Sequence, residues 1–290
     1  MITVSAPAKI NLTLEVLGQR ADGYHEIRSV IQTISLCDSL SFEPADSLEF
    51  KSDSAEWVAG KSLVSKATDW LKKKSGTVKG AIISVKKCIP LLAGLGGDSS
   101  DAAATLRGLN QLWGLGLTRE QLIPLARQLG SDVAFFLYGG TALVEGRGEI
   151  VTPLPPLLHR WVVVAVPPVP RQPGKTRQLY ESLEPGHYTD GQITQKLVAE
   201  IRAGREFSTS LLFNTFENVA LAHFSGLDVS RRHMVKMGAT NVLLAGSGPA
   251  LFTLLEDKAQ AEALCSRLKE PGLEPYLAET LPALGQSQVN

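Results

Sequence analysis

This chain is poor in cysteine, in charge of either sign in excess, and in long apolar runs, and each shortage removes a class of function. Of its 290 residues only three are cysteine: Cys37, Cys88 and Cys265. They stand alone, with no Cys-x-x-Cys and no histidine pair at ligand spacing. That usage speaks against a disulfide scaffold and a structural zinc, and fits reduced thiols. Lys plus Arg and Asp plus Glu both total 29, so no basic or acidic excess points to nucleic acid or a membrane surface. The longest apolar run, Trp161 to Val166, is far too short to span a bilayer. Met1 to Ser5 lead directly into strand-like sequence with no basic or apolar leader, so the expected location is cytoplasmic. Internal repeats are absent as well.

The most informative stretch is Pro90 to Leu112. Ala81 to Val85 alternate like a half-buried strand, and Leu106, Leu109 and Leu112 fall at helical spacing after Ala102 to Ala104. Between strand and helix lie Pro90, Leu91, Leu92, Ala93, Gly94, Leu95, Gly96, Gly97, Asp98, Ser99 and Ser100. Glycines allow close backbone approach and positive φ, and the first N–H groups of a helix lack internal partners. Such a loop is a ready cradle for phosphate, with two hydroxyls to spare for oxygens or a hydrated Mg²⁺. It is not a P-loop, since no Gly-Lys-Ser/Thr follows. Asp98 reads as the N-cap of the helix, bonding the N–H of Asp101 and facing away from phosphate.

Elsewhere, Ile10 to Val16, Ser29 to Leu36, Leu40 to Phe42 and Leu48 to Phe50 read as strands in quick succession, favouring an antiparallel sheet. Leu63 to Leu71 reads as a helix, and Thr118 with Gln121 opens another as a capping box that stops at Gly130. Thr141 to Glu145 and Glu149 to Thr152 are strands around Gly146-Arg147-Gly148, and Pro153 to Pro156 is the best domain boundary. Beyond it come the strand Trp161 to Val166, a rigid proline-rich loop at Pro167 to Pro173, and helices at 175–183, 189–202, 214–223 and 229–237. Strands at 241–245 and 251–255 flank Gly246-Ser247-Gly248-Pro249, followed by a helix at 259–268, a strand at 274–280 and a frayed tail from Gly285.

Taken singly, Lys9 reads as a surface lysine, Asp132 as a helix cap, and Asp22 to His25 and Gly246 to Gly248 as turns. Together, Ala6-Pro7-Ala8-Lys9-Ile10-Asn11-Leu12, the glycine-serine loop and Gly246-Ser247-Gly248-Pro249 resemble the three motifs of the GHMP small-molecule kinases, in the family's order. The resemblance implies an α+β fold of two domains. The first, residues 1–155, would be like ribosomal protein S5 domain 2, and the second, 156–290, a ferredoxin-like α/β layer, with the active site in the cleft between them.

Arg20-Ala21-Asp22-Gly23-Tyr24-His25, Leu129 to Val133 and Glu145 to Glu149 are similar to the branch that phosphorylates the 2-hydroxyl of CDP-methylerythritol, in the non-mevalonate isoprenoid pathway. For that branch the resemblance implies ATP and Mg²⁺, Asp132 and Lys9 as the catalytic pair, and Pro90 to Ser100 with Gly246, Ser247 and Gly248 around the nucleotide phosphates. Ser99 or Ser100 would lie near Mg²⁺, while Asn11, Tyr24, His25, Thr176 and Tyr180 would hold the substrate. Asp98, Ala134, Thr215 and Ser62 depart from the family pattern, so Phe213 to Glu217 reads as structural. A different GHMP alcohol kinase, or a nucleotide sensor on this fold, remains an alternative. Monomer and homodimer stay open.

Overall fold

The computed structural model describes residues 1–169, 174–269 and 272–285. The end of the proline-rich loop, 170–173, and the tail from 286 lie outside them. In chain order the elements are β1 (Ile2–Gln19), β2 (His25–Ala45), β3 (Leu48–Ser52), α1 (Leu63–Ser75), β4 (Gly80–Lys86), α2 (Gly97–Trp113), α3 (Arg119–Leu129), α4 (Val133–Tyr138), β5 (Thr141–Gly146) and β6 (Ile150–Pro153). They continue as β7 (Trp161–Val166), α5 (Lys175–Glu181), α6 (Gln192–Arg202), β8 (Phe213–Asn214), α7 (Ala220–His223), α8 (Leu227–Lys236), β9 (Leu243–Leu244), β10 (Leu251–Leu255), α9 (Lys258–Arg267) and β11 (Glu274–Glu279).

Two sheets result. The first runs β3-β4-β2-β1-β8, with β5 on the far end of β2 and β6 beyond it. The second is antiparallel, in the order β11-β7-β10-β9. Most of the first sheet is antiparallel too, as the rapid succession of early strands predicts. Two boundaries differ. The segments read as two strands, Ser29 to Leu36 and Leu40 to Phe42, form one 21-residue strand, and β1 starts before Pro7 rather than after Lys9. Register shifts at Pro7/Ala8, Asn11/Thr13 and Val16/Gly18 allow this length, because each irregularity absorbs one or two residues and bends the ribbon. Pro7 sits at one of them, the kind of irregularity at which a strand tolerates a residue without an N–H.

Helices α1, α2 and α4 cover the first sheet around Leu71, Leu106, Leu109, Phe135 and Phe42. Gly108 lets α2 lie directly on β2, since a Cβ there would stand 2.2 Å from the ring of Phe42. The helical pattern at 214–223 is broken: β8 and a 3₁₀ turn precede the short α7. Asn214 causes the break, because its Oδ1 accepts the N–H of Phe216 and its Nδ2 donates to Leu244 and Gly246 carbonyls. The sheets meet near the middle of β1 and β2. Leu281 N–H donates to Thr33 O at 2.9 Å, and Glu279 N–H donates to Ser35 Oγ at 2.9 Å.

Candidate active site

The loop between β4 and α2 adopts the conformations its glycines permit. Leu92, Gly94 and Gly96 have φ of 57°, 89° and 75°. Gly96, not Asp98, is the N-cap of α2. The cap reading of Asp98 is therefore corrected: its Oδ1 accepts Leu63 N–H at 3.0 Å and Ser62 Oγ–H at 3.2 Å, at the start of α1. Ser62 itself caps α1 through Val64 N–H. Loop and α1 start together enclose a cleft of about 650 Å³, lined by Pro90 to Ser99 with Trp57, Lys61, Ser62 and Lys87. The two serines separate. Ser99 lines the cleft, whereas Ser100 is 1% exposed and its Oγ is, among the described residues, without a hydrogen-bond partner.

Under the loop, the Lys87 ammonium bonds both Asp38 and Asp101, the latter at 2.7 Å. Asp38 also accepts the N–H groups of Cys88 and Ile89, so one buried carboxylate fixes the root of the loop. Two carboxylates share one ammonium there. Burial, helped by the charge of Asp38, pushes the Asp101 carboxyl up to about 7 against the pull of Lys87.

Lys9 is buried at 5% exposure, against the surface reading of its sequence. Its backbone N–H donates to Leu95 O at 2.9 Å and the N–H of Asn11 donates to Ala245 O at 3.0 Å, so this piece of β1 lies between both glycine loops. The Lys9 ammonium donates to Asn11 Oδ1 at 2.6 Å. Burial pushes its pKa down, and the negative charge of Asp132 opposes that shift. Asp132 precedes α4 but, among the described contacts, its side chain caps nothing, so the carboxylate is left for other work.

The second glycine loop joins β9 to β10 as a hairpin and presses on the first. A Cβ on Gly248 would stand 2.3 Å from the Ala93 carbonyl carbon, and one on Gly246 would stand 2.6 Å from Lys9 Nζ. Thr176 Oγ1 and Ser247 Oγ lie 2.8 Å apart. Thr176 thus reaches this loop, while Tyr180, one turn along α5, reaches the other end of the site. There it stacks on His25 with ring centroids 5.0 Å apart and an interplanar angle of 27°. Burial raises the pKa of Tyr180, with Asp132 adding to the rise, which sets this aromatic group beside the free carboxylate. Tyr24 is 56% exposed and carries the Arg147 guanidinium 4.6 Å from its ring centroid. Tyr188 and Phe216, edge-on to His25 and Tyr180, complete the cluster. The sequence assigns neither Tyr188 nor Phe216 to the site, because aromatic rings from separate segments announce nothing until the chain folds, and Arg147 enters there only as part of the Glu145 to Glu149 motif.

A backbone cradle beside a buried ammonium and an uncapped carboxylate suits phosphoryl transfer to an alcohol. Comparison with known proteins gives the class. Residues 62–140 match the GHMP kinases N terminal domain and residues 196–273 the GHMP kinases C terminal domain. A 4-diphosphocytidyl-2-C-methyl-D-erythritol kinase of Dehalococcoides mccartyi is 50% identical over 284 residues, covering 98% of this chain and 100% of that protein. One from Geobacillus kaustophilus is 39% identical over 273 residues, 92% of this chain and 93% of the relative. A crystal structure of 4-(cytidine 5'-diphospho)-2C-methyl-D-erythritol kinase superposes with a TM-score of 0.82 at 33% identity, over 96% of this chain and 99% of that one. Homoserine kinase from Cytophaga hutchinsonii shares the fold, with a TM-score of 0.69 at 19% identity over 97% and 95% of the two chains. The chain belongs to the GHMP kinases and, within them, to the 4-diphosphocytidyl-2-C-methyl-D-erythritol kinase family. No helix among the described residues is long and apolar enough to cross a membrane.

Proposed function

We propose that this protein transfers the γ-phosphoryl group of ATP to the 2-hydroxyl of 4-diphosphocytidyl-2-C-methyl-D-erythritol, giving the 2-phosphate and ADP. The observation that carries the reading is the buried Lys9 beside the glycine cradle, within electrostatic reach of Asp132, whose side chain caps nothing among the described contacts, in a chain related over 98% of its length to kinases of that name. Asp132 orients the hydroxyl and takes its proton as the new P–O bond forms and the bond to the β-phosphate oxygen breaks. Lys9 keeps Asp132 ionised and offsets charge on the reacting oxygens. Backbone N–H groups of residues 94–99 and the 246–248 loop hold the phosphates, the N–H of Ser100 being already bonded to Gly96 O. Ser99, the hydroxyl that lines the cleft, is the side chain that would hold Mg²⁺ beside the nucleotide, and the ion would supply charge neutralisation. Among the described residues no group of three or more acidic, His or Cys side chains could hold a metal, consistent with an ion carried mainly by the nucleotide.

Tyr24, His25 and Tyr180 take the cytidine, and Asn11 the polyol beside Lys9. Thr176, bonded to Ser247, belongs to the phosphate end of the site rather than to the cytidine. The proposed domain boundary, near Pro155, falls between β6 of the first sheet and β7 of the second, with β8 returning from the later half to pair with β1. The alternative of a nucleotide sensor is disfavoured because a sensor has no use for both Lys9 and Asp132.

The test is Asp132→Asn with ATP and the cytidylylated substrate. Turnover should fall by ~10²–10⁴-fold while calorimetry still detects both ligands, since shape is kept and proton acceptance is lost. Turnover close to that of the unmodified enzyme would refute the assignment, and phosphorylation of homoserine or mevalonate in place of the cytidylylated alcohol would refute the substrate.

A further inference from the structure

Behind Lys9 runs a hydrogen-bond chain that ends away from the cleft. The Lys9 ammonium donates to Asn11 Oδ1 at 2.6 Å, Asn11 Nδ2 donates to Ser29 Oγ at 2.7 Å, and Ser29 Oγ donates to the Thr13 carbonyl. Ser29 and Thr13 are fully buried and Asn11 is 3% exposed, so water offers no substitute partners. A register shift between Asn11 and Thr13 shapes this spot, and there the Thr13 hydroxyl accepts Val30 N–H at 3.0 Å.

The direction of the chain is forced at both ends. An ammonium only donates, so the oxygen of the Asn11 amide must face Lys9. A carbonyl only accepts, so the single hydroxyl proton of Ser29 is committed to Thr13, and the Ser29 oxygen is left to accept. The only Asn11 orientation that satisfies both ends is the one seen. Thr13 Oγ1 is engaged elsewhere, accepting from Val30 N–H and lying 2.9 Å from Thr194 Oγ1, whose proton it shares with Arg28 O.

We infer that Ser29 is a positioning residue: it locks the Asn11 amide so that a fixed acceptor holds the Lys9 ammonium against the reacting groups. The inference rests on the proposed role of Lys9. Without the Ser29 hydroxyl, Nδ2 of Asn11 would be buried without an acceptor, and the amide would turn to find one, taking Oδ1 away from Lys9. Among the described residues, the charged group that acts on Lys9 is Asp132, on the loop before α4, and the same charge acts on Tyr180 of α5. Losing a neutral acceptor disfavours the charged form of a lysine whose pKa burial already depresses, so the pKa should fall further.

The experiment is Ser29→Ala, assayed across pH with saturating ATP and cytidylylated substrate. Turnover should fall about 10- to 100-fold, as for loss of a hydrogen bond to a charged group, with KM for ATP little changed. The basic limb of the pH–rate profile should move to lower pH. Placed in an Asn11→Ala background, the same change should add almost nothing, since it acts through Asn11. A turnover loss with an unmoved basic limb, or one that adds in full to Asn11→Ala, would mean that Ser29 is only structural. Lys9→Met separates the two ideas: if it leaves turnover intact, the proposed role of Lys9 fails, and if it abolishes turnover while Ser29→Ala changes nothing, only the positioning inference fails. Should Ser29→Ala not fold, the Asn11 side-chain amide of the unmodified protein is followed by hydrogen exchange. Protected Nδ2 protons support the lock, and exchange at the rate of a free amide overturns it.

Discussion

Asp98 shows how a single side chain can be misassigned by one helix and claimed by another. At the start of α2 its sequence context is that of an N-cap, where glycine is a tolerated replacement. In the fold it sits inside the first turn, and its carboxylate serves Leu63 N–H and Ser62 of α1 instead. The ordering of substitutions therefore reverses. Asp98→Ala should cost ~0.5–2 kcal/mol, the usual loss for a helix-start N–H deprived of its side-chain acceptor. Asp98→Gly should cost more, because it adds up to about 1 kcal/mol for glycine within a helix. Urea denaturation of both variants decides the matter, and a glycine variant more stable than the alanine one would restore the cap. Asp132 is the complementary case: it stands at a helix start with capping chemistry and caps nothing among the described residues, so its carboxylate is spared.

At the scale of elements, packing overrides local pattern wherever the partner is distant in sequence. The capping box at Thr118 and Gln121, helix α1 and the β9–β10 hairpin were all legible, since their signals lie within a few residues of the structure they cause. The length of β1 and β2 was not, because bulges join segments whose hydrophobic alternation slips. Nor was the break at Asn214, whose partners Leu244 and Gly246 lie 30 and 32 residues on. The burial of Lys9 was hidden for the same reason, being produced by two loops, one about 85 and the other about 235 residues away. Gly108 makes the point measurable. In an exposed helix Gly→Ala stabilises, by up to about 1 kcal/mol. Here the new Cβ would overlap the ring of Phe42, which is fully buried and has nowhere to move. Gly108→Ala should instead destabilise by ~1–3 kcal/mol through overpacking, read as a lowered midpoint in thermal or urea unfolding. A raised midpoint would show that α2 can lift off β2 at no cost.

Across the whole molecule, the two sheets are joined at the place where chemistry is proposed. The first-sheet loop contributes Ala93 and Gly94, and the second-sheet hairpin contributes Gly248. A Cβ on either glycine would lie 2.5 Å or less from backbone of the opposing loop. Ala250 N–H donates to Ala93 O at 3.1 Å across the same contact. Backbone on both sides leaves no flexible side chain to yield, so an added methyl must push the loops apart. Gly248 also has no positive φ, which makes the effect of Gly248→Ala purely steric. Because one loop is the proposed phosphate cradle and the other borders Lys9, the separation should weaken nucleotide binding and lower stability together, the latter by ~1–3 kcal/mol. Gly186→Ala is the matched control, at a position with open space and no positive φ, and it should stay within about 0.5 kcal/mol of the parent. Titration calorimetry with a non-hydrolysable ATP analogue, alongside thermal unfolding, measures both quantities in the same variants. If Gly248→Ala lost stability while binding the analogue as tightly as the parent, the loop contact would be a structural joint alone, and the phosphate cradle would belong to the first loop without help from the second.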